Sequence, residues 1–473
     1  MSTHTTPPHA PSLHAHFDAM RQASRAQPAP AWPARADRLK RLRAMLLAAR
    51  TDIARAIAAD FGQRPRQETE MAELFPTLAG IDHALRHGKA WMRPRRRATG
   101  LWMLPGTSRV LPQPLGVVGV VVPWNYPLML SAGPLTGALA AGNRVLVKAS
   151  EHAPAFGALL AHLVAQTFAA DEVRVIEGDA EVARAFTALP FDHLLFTGST
   201  PVGHAVMRAA SEHLTPVTLE LGGKSPVVIG PGAELAHAAE RIMVGKLLNA
   251  GQTCIAPDYV LLPAGREDEF TRLAQDAVTR LYPNLPTSPD YTRIINARQY
   301  QRLANWLAEA QGAGARIEPL ADAPDDEALR RMTPRLLINP PAHITLMQQE
   351  IFGPLLPVLG VPDVDAAIAH INQRPRPLAL YVFERERSTI DHVLACTTSG
   401  GVTVNDTLLH VAQDNLPFGG VGDSGMGAYH GEDGFRTFSH FKPVFTQSRL
   451  AGNGLLKPPY GTTFDRLMHW MLR

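Results

Sequence analysis

The chain carries a continuous β-branched run, GVVGVVV at residues 116–122, in which every position is valine or glycine. A strand buried on both faces needs such a run, whereas a strand with one wet face alternates apolar and polar residues. Similar apolar runs recur at residues 144–147, 172–176 and 193–196, and helical patterns separate them at 128–141, 154–168 and 201–213. This alternation of short strands and helices predicts a parallel, doubly wound α/β sheet.

A second α/β unit is predicted downstream. Its strands are expected at residues 217–220, 226–229, 258–263, 335–338, 355–360, 378–383 and 401–404, with a helix over 233–248. Upstream of the first sheet the chain turns helical from about Leu13, and residues 66–86 form another helical stretch without obvious chemistry. Residues 99–114 are rich in Gly, Pro and Ser, which predicts a hairpin-like excursion away from the core.

Composition narrows the class of protein. A chain of 473 residues with 45% hydrophobic content can bury a large core in two or three domains. Its formal net charge of +3 gives no reason to expect nucleic acid. Four arginines crowd around Pro94, at positions 93 and 95–97. A solvated turn is the favoured interpretation of this cluster, with contact to an anion as the alternative.

No membrane-spanning segment is predicted, since no apolar run reaches the ~18 residues that a span needs. No signal peptide is predicted at the N-terminus either. We therefore expect a cytoplasmic protein with reduced thiols. No metal site is expected, because the sequence has no CxxC pair and no HExxH motif. The Pro- and His-rich residues 1–12 are predicted to be a disordered tail. At the other end, residues 463–473 predict a short amphipathic helix that packs on the protein or a partner subunit, or alternatively on a membrane surface.

One of the two cysteines has an unusual setting. Cys254 lies in GQTCIAP, residues 251–257, among small residues and chain breakers. Just upstream, LELGGKSP at 219–226 supplies Glu220 followed by a glycine pair. A thiol with a nearby carboxylate can form and then hydrolyse a thioester, which points to covalent chemistry on a carbonyl carbon. The second cysteine, Cys396, follows apolar residues in a helical stretch and is expected to be a buried, inert thiol.

Three further motifs follow predicted strand ends. FTGSTPVG at 196–203 opens a helix whose free N–H groups suit a phosphate, although a plain strand–turn–helix explains it equally well. Lys148 and Glu151 are placed to contact ribose hydroxyls, unless they only form a helix-cap turn with Ser150 as the cap. In PWNYP, residues 123–127, the amide of Asn125 is able to donate to an oxyanion, unless it serves the turn alone.

Together with EIFGP at 350–354 and PFGG at 417–420, these motifs resemble the aldehyde dehydrogenase superfamily, in the family's order, from about residue 35 to 445. The resemblance implies a doubly wound Rossmann-type cofactor domain, an α/β catalytic domain and a small β oligomerisation arm. The implied bounds are 13–98 and 115–221 for the cofactor domain, 222–425 for the catalytic domain, 99–114 and 432–450 for the arm, and 451–473 for a C-terminal tail.

The resemblance also implies a role for each matched residue. Cys254 would be the nucleophile, Asn125 with the Cys254 backbone N–H would form the oxyanion hole, and Glu220 would activate the hydrolytic water. The implied cofactor-binding residues are Trp124, Lys148, Glu151, Gly198, Ser199, Gly203, Glu350 and Phe352. The cofactor is expected to be NAD, because the carboxylate of Glu151 would repel the 2′-phosphate of NADP. NADP stays open as an alternative cofactor.

A finer similarity is to the class 3 branch, carried by GGVTVND at 400–406, LPFGGVG at 416–422 and SGMGAYHG at 424–431. Within the branch, the bacterial coniferyl aldehyde dehydrogenases are the most similar. This similarity implies a homodimer and a small-molecule aldehyde substrate, with coniferaldehyde as the first choice and medium-chain, fatty or simple aromatic aldehydes as the alternative. The implied substrate-entrance residues are Tyr126, Leu408, Val411, Phe418 and His430. Acyl transfer to CoA or phosphate and a non-catalytic nucleotide-binding protein are the other hypotheses.

Overall fold

The computed structural model describes residues 12–450 and 457–473. Nearly all of the predicted disordered tail, residues 1–12, lies outside this part of the chain. The strands are β1 Arg95–Arg97, β2 Thr107–Pro114, β3 Val117–Val121, β4 Arg144–Lys148, β5 Val173–Ile176, β6 His193–Gly198, β7 Val217–Leu221, β8 Pro226–Ile229, β9 Tyr259–Pro263, β10 Arg316–Pro319, β11 Arg335–Ile338, β12 Leu355–Val361, β13 Ala379–Phe383, β14 Gly401–Val404, β15 Gly425–Met426 and β16 Ser439–Thr446.

The α-helices surround these strands. They are α1 Leu13–Ala26, α2 Trp32–Ala48, α3 Arg50–Phe61, α4 Arg66–Thr69, α5 Phe75–Trp91, α6 Met129–Ala141, α7 Pro154–Thr167, α8 Ala180–Thr187, α9 Thr200–Ser211, α10 Leu235–Leu247, α11 Glu267–Leu281, α12 Ala297–Gly312, α13 Thr345–Gln348, α14 Val364–Asn372, α15 Arg387–Cys396, α16 Gly431–Thr437 and α17 Thr462–Met471. A π-helical turn at Glu70–Leu74 joins α4 to α5.

The first sheet has six strands in the order β15-β7-β6-β3-β4-β5, parallel except for β15. The chain enters at β3, builds β4 and β5 on one side and then β6 and β7 on the other. The predicted doubly wound α/β fold is thereby confirmed. Adjacent β3 and β6 start crossovers in opposite directions, which is where such sheets bind ligands, beyond the carboxyl ends of their strands.

The opening sequence run explains the centre of this sheet. Residues 117–120 of β3 are buried, as a strand covered by helices on both faces requires. Its glycine has a packing reason, because a β-carbon at Gly119 would lie 2.7 Å from the ring of Phe191 and 2.8 Å from Leu194. The prediction that residues 217–220 belong to the second unit was wrong, since β7 pairs in parallel with β6.

The second sheet has seven strands in the order β10-β11-β12-β9-β8-β13-β14. All neighbours are parallel except β10, which runs antiparallel to β11. Residues 222–225 alone connect β7 of the first sheet with β8, the first strand of the second sheet in sequence order. This short connection contains the glycine pair that follows Glu220.

A third, antiparallel sheet has the order β1-β2-β16. It combines part of the predicted excursion at 99–114 with the strand at Ser439–Thr446. The interpretation of the arginine cluster as a solvated turn was wrong for Arg95–Arg97, because these residues pair with Ser108–Val110 of β2. Arg95 also forms an ion pair with Glu432.

Helix α17 lies close to the predicted amphipathic segment at 463–473. Its Trp470 packs edge-on against Trp102, with ring centroids 4.9 Å apart, although both rings remain partly exposed. Within residues 12–450 and 457–473, no helix is both long and apolar enough to cross a membrane.

Candidate active site

Cys254 follows a strained turn that joins α10 to the second sheet. Asn249 and Ala250 have φ angles of 54° and 51°, which side-chain-bearing residues rarely adopt. Gly251 has a φ of 75°, and a β-carbon there would collide with the carbonyl of Gly353. The turn is anchored from outside, since the backbone N–H of Asn249 donates to Glu68 Oε1 at 2.9 Å. These contacts fix the position of the thiol.

The surroundings of Cys254 favour its protonated form. Burial and, after it, the charges of Glu350 and Glu220 together raise the pKa of the thiol to about 12. The backbone N–H groups of Cys254 and Ile255 oppose this shift. A neutral thiol is a weak nucleophile, so attack on a carbonyl requires a group that removes its proton.

Asn125 lies next to the cysteine turn, buried at the carboxyl end of β3. Its side-chain Nδ2 donates to the carbonyl of Gln252 at 3.2 Å. Its own carbonyl accepts from Asn249 Nδ2 at 3.1 Å. The neighbouring Tyr126 is bound to the same turn, with 2.7 Å between its hydroxyl and that of Thr253. The structure therefore brings the PWNYP and GQTCIAP motifs into direct contact.

The buried guanidinium of Arg64 holds the segment that contains Asn125. Arg64, between α3 and α4, donates to the carbonyl of Asn125 at 3.0 Å and pairs with Glu73 at 2.8 Å. Glu73 in turn accepts from the backbone N–H of Leu128 at 2.7 Å and, more weakly, from that of Met129. The helical stretch 66–86, which was expected to lack chemistry, thus supplies carboxylates to the site. The acidic residues that stand beside apolar ones in that stretch were the sequence signal that could have indicated buried carboxylates.

Glu220 occupies the fourth position of β7 and is 3% exposed. Among the described residues, neither of its carboxyl oxygens has a hydrogen-bond partner. Burial without compensation raises the pKa of this carboxyl well above its usual value. Its influence on the pKa of Cys254 places the carboxyl within electrostatic reach of the thiol.

A second carboxyl, that of Glu350, lies against the glycine pair. A β-carbon at Gly222 would collide with the Glu350 carboxyl oxygens, so only glycine leaves room for them. Burial raises the pKa of Glu350 to about 8, with a further contribution from Asp258. The backbone N–H of Gly223 and the charges of Lys224 and Arg302 act in the opposite direction.

The predicted adenosine-side residues lie at the carboxyl end of β4. Lys148 is 1% exposed, and its Nζ donates to the carbonyls of Ala149 at 2.6 Å and Gly178 at 2.8 Å. The Glu151 carboxylate lies 3.9 Å from Nζ and is exposed. The alternative with Ser150 as a helix cap was wrong, because α7 begins at Pro154 with residue 153 as its N-cap.

The start of α9 suits an anionic ligand. Ser199 is its exposed N-cap and makes no side-chain capping bond, so first-turn N–H groups remain available. Two glycines permit close packing here: a β-carbon at Gly203 would lie 2.7 Å from Leu221, and one at Gly198 would lie 2.5 Å from the ring of Phe196. A dinucleotide fits this arrangement, because Lys148 and Glu151 at the end of β4 suit a ribose and the start of α9 suits a phosphate.

Two aromatic residues of the predicted cofactor set touch each other. Trp124 and Phe352 pack edge-to-face with centroids 5.4 Å apart. Phe352 has a φ of 50°, a strained conformation, and the carbonyl of the next residue, Gly353, lies against Gly251 in the turn before Cys254. The structure thus places both rings on the side of the site that also holds Glu350.

A cavity lies between α5, α6 and residues of the segment 411–431. Of the predicted substrate residues, Val411 and His430 line it, and its opposite wall includes Phe75 and Met129. Phe418 lies behind the wall and stacks on His430 at 5.1 Å. Leu408 packs on the core with a φ of 65°, and Tyr126 is bound to Thr253 as described. Tyr429 also lines the cavity, although its motif, SGMGAYHG, predicted no role for it.

The prediction for Cys396 was wrong. This residue is the last of α15, whose buried side consists of Ile390 and Val393, and its thiol is exposed. Its Sγ lies 3.6 Å from Nδ1 of His392. Among the residues that the structure describes, no group of three or more His, Cys, Asp or Glu could hold a metal ion.

Comparison with known proteins assigns the family and the fold. The model of the aldehyde dehydrogenase family matches residues 9–444. A "Probable coniferyl aldehyde dehydrogenase" of Pseudomonas aeruginosa is 52% identical over 97% of this chain and 95% of its own length. A "Coniferyl aldehyde dehydrogenase" of a Pseudomonas species is 46% identical over 98% of this chain and 97% of its own length.

Solved structures agree. The substrate-bound state of Staphylococcus aureus AldH covers 98% of this chain and 100% of its own, with 38% identity and a TM-score of 0.92. A Mycobacterium tuberculosis aldehyde dehydrogenase complexed with NAD+ covers 91% of this chain and 89% of its own, with 29% identity and a TM-score of 0.82. The chain belongs to the aldehyde dehydrogenase family. It is an oxidoreductase that acts on aldehydes with a nicotinamide cofactor.

Proposed function

We propose that Cys254 is the nucleophile of this oxidoreductase, and that Glu220 and Asn125 are its catalytic partners. The observation that carries this assignment is the meeting of a fixed thiol, a buried amide and two carboxyls of raised pKa from four separate segments of the fold. The Cys254 thiol gives its proton to the Glu220 carboxylate, which releases it to solvent, and Sγ adds to the aldehyde carbon. The resulting oxyanion accepts from Asn125 Nδ2 and the Cys254 backbone N–H.

A nicotinamide held by Glu350, Phe352 and Trp124 would supply the hydride acceptor, so that the thiohemiacetal on Cys254 would become a thioester. Glu220 then takes a proton from water, and the hydroxide attacks the thioester carbon to release the carboxylate and the thiol. The buried, unpaired state of the Glu220 carboxyl supports this role, because a general base needs a pKa near the working pH. Transfer of the acyl group to CoA or phosphate is not favoured, since Glu220 is in place to activate water.

The cofactor is assigned as NAD. Glu151 is exposed beside Lys148 at the carboxyl end of β4, where its carboxylate would accept from ribose hydroxyls and would repel a 2′-phosphate. Lys148, Ser199 and the start of α9 would hold the adenosine ribose and pyrophosphate. Gly198 and Gly203 would permit the close backbone approach, while Glu350, Phe352 and Trp124 would contact the nicotinamide side.

The substrate is assigned as coniferaldehyde or a closely related aromatic aldehyde. Similarity to two coniferyl aldehyde dehydrogenases along almost the whole chain supports this choice. The aromatic side chains of Tyr429 and His430 in the cavity wall support it as well, because flat rings stack on such surfaces. A homodimer in the cytoplasm is proposed on the resemblance to the class 3 branch.

The test compares NADH formation from coniferaldehyde, benzaldehyde, hexanal and decanal, each with NAD and with NADP. We expect the highest kcat/KM with coniferaldehyde and NAD. The matched control is Cys254→Ala, which should bind NAD but form no NADH. Turnover by this variant would refute the assignment of the nucleophile, and an aliphatic preference would refute the assignment of the substrate.

A further inference from the structure

The ring of Phe418 is surrounded by three aromatic residues that each carry a polar atom. His430 stacks on it at a centroid distance of 5.1 Å and an interplanar angle of 22°. Tyr429 meets it edge-on at 6.0 Å, and His410 lies at 6.1 Å on the segment that follows β14. Tyr429 and His430 also contact each other, with centroids 4.6 Å apart. We call these four residues the Phe418 cluster.

Each of the three polar residues keeps a buried polar atom without a partner. Tyr429 Oη, His430 Nδ1 and His410 Nε2 find no hydrogen bond among the described residues. Other buried tyrosines differ: the hydroxyl of Tyr291 donates to the carbonyl of Met332 at 2.9 Å. Leaving a buried polar atom unpaired costs free energy, so three together indicate a group that arrives from outside the chain.

Two members of the cluster, Tyr429 and His430, line the cavity between α5 and α6. Tyr429 is 2% exposed, and it lines the cavity with His430 beside Val411. It lies four residues beyond Gly425, the residue that pairs with Glu220 on β7. The charges of Glu220 and Cys254 both raise the pKa of the Tyr429 hydroxyl, after burial, which is the largest cause. The cluster is therefore within electrostatic reach of the reacting groups.

The polar atoms have complementary hydrogen-bonding roles. Burial lowers the pKa of both His410 and His430 to about 4, so both imidazoles are neutral near pH 7. A neutral imidazole has one nitrogen that accepts, and a tyrosine hydroxyl donates. A donor beside an acceptor matches a hydroxyl group, which accepts one hydrogen bond and donates another. A bare hydrocarbon ring or chain would leave both atoms unpaired.

We propose that the Phe418 cluster recognises a hydroxyl group on the aromatic ring of the substrate, with Tyr429 as the donor and an imidazole of His430 or His410 as the acceptor. The site then selects phenolic aldehydes over aromatic aldehydes that lack a free hydroxyl. This inference rests on the proposed function, and it adds Tyr429 and His410 as specificity-determining residues that contact the ring end of the substrate and not the reacting carbon.

The experiment measures kcat/KM for coniferaldehyde, 3,4-dimethoxycinnamaldehyde and cinnamaldehyde. The first has a free ring hydroxyl, the second carries a methyl group on it, and the third has no ring oxygen. We expect the wild-type protein to favour coniferaldehyde over both by about tenfold, the equivalent of one well-formed hydrogen bond. Tyr429→Phe removes only the unpaired hydroxyl, so the fold should persist while the preference drops to about threefold or less.

Two further variants sharpen the result. His430→Phe keeps a ring stacked on Phe418 and should lower the same preference. Tyr291→Phe removes a buried hydroxyl of a residue that does not line the cavity. It should lower the free energy of unfolding and leave the preference for coniferaldehyde unchanged. An unchanged preference in both Tyr429→Phe and His430→Phe would overturn the inference.

The failure of this inference is distinct from the failure of the proposed function. Comparable wild-type efficiency with all three cinnamaldehydes would reject recognition of the hydroxyl while leaving the oxidation of aromatic aldehydes intact. Discrimination against the dimethoxy compound alone would show that the pocket measures size, and it would also overturn the inference. Absence of turnover with every aldehyde, in protein that binds NAD, would instead reject the proposed function.

Discussion

A guanidinium N–H of Arg64 donates to the carbonyl oxygen of Asn125 at 3.0 Å, so a residue before α4 holds the loop that follows β3. The Arg64 side chain is fully buried, and so is that of its ion-pair partner Glu73. Its guanidinium also lies 4.8 Å from the ring centroid of Tyr126. The amide proposed for the oxyanion hole is thus supported by one cation.

Replacement of this cation should therefore be costly. We expect Arg64→Met to lower the free energy of unfolding by about 3–5 kcal/mol, since Glu73 would be left as an uncompensated buried charge. Urea denaturation measures the effect. Arg55→Met is the matched control, because Arg55 forms an exposed pair with Asp52 and should cost under about 1 kcal/mol. A similar loss in both variants would contradict the role of burial.

Cys396, which has no proposed catalytic role, should be alkylated faster than Cys254, the proposed nucleophile. Cys396 is exposed, while burial raises the pKa of Cys254 to about 12. Thiolates are the reacting species, so iodoacetamide at neutral pH should label Cys396 at least about tenfold faster in the cofactor-free protein. Peptide mass mapping over time measures both rates, with Cys396→Ser as the control. Faster labelling of Cys254 would show that its thiol is activated before any ligand binds.

The proposed role of Glu220 can be separated from that of Cys254. In Glu220→Gln the thiol would release its proton directly to solvent, so we expect a slowed first phase that still forms one equivalent of NADH per active site. A steady rate lowered by about 10²–10⁴-fold should follow, because the thioester would lack its general base. Stopped-flow fluorescence measures both phases. Glu212→Gln, an exposed substitution at the end of α9, should behave as the wild type. Loss of the first phase in Glu220→Gln would argue against this division of roles.

Glu220 should also make stability depend on pH. The pKa of its carboxyl is raised above the ordinary value of 4.5, so the folded state retains a proton that the unfolded state releases. The stability is complete below pH 4.5 and declines as the pH rises toward the folded-state pKa. Glu220→Gln does not ionise, so its Tm should exceed that of the wild type increasingly from pH 5 to pH 8. A constant difference in Tm would contradict the raised pKa.

Cofactor preference should depend on Glu151. We expect Glu151→Gln to raise the ratio of kcat/KM with NADP to that with NAD by about fivefold to tenfold, because one repulsive charge facing the 2′-phosphate is removed. The effect should weaken at high ionic strength, since Glu151 is exposed. Glu240→Gln, an exposed change on α10, should leave the ratio unchanged. An unaltered ratio in Glu151→Gln would mean that other residues discriminate.

Local sequence patterns predicted the strands well where burial is complete on both faces. The run at 116–122 became β3 at Val117–Val121, and the predicted strand 335–338 matches β11. The pattern failed where pairing is decided by distant segments. Strands β1 and β15 are three and two residues long, and each exists because a longer strand offers it backbone partners. No local periodicity marks such strands.

The candidate site shows the same division. The motifs around Cys254, Glu220 and Asn125 are compact enough in sequence to be recognised and assigned roles. Arg64 and Tyr429 were not assigned, because their importance comes from burial beside residues 61 and more positions away in the chain. The exposure of Cys396 was also unpredictable from its apolar neighbours, since it depends on where α15 ends.

The four-residue connection at 222–225 limits how the two large sheets can move. Leu221 closes β7 and Pro226 opens β8, so these two residues can never be more than about 18 Å apart, even with the chain fully extended. This connection is much shorter than the other one between the two sheets, residues 405–424 from β14 to β15, so it restricts their relative displacement more. Glu220 lies one residue before the end of β7 and would travel least in such a displacement, whereas the cavity wall at Phe75 and Val411 would travel farther. Entry of an aldehyde and constancy of the reacting geometry are therefore mechanically compatible in this fold.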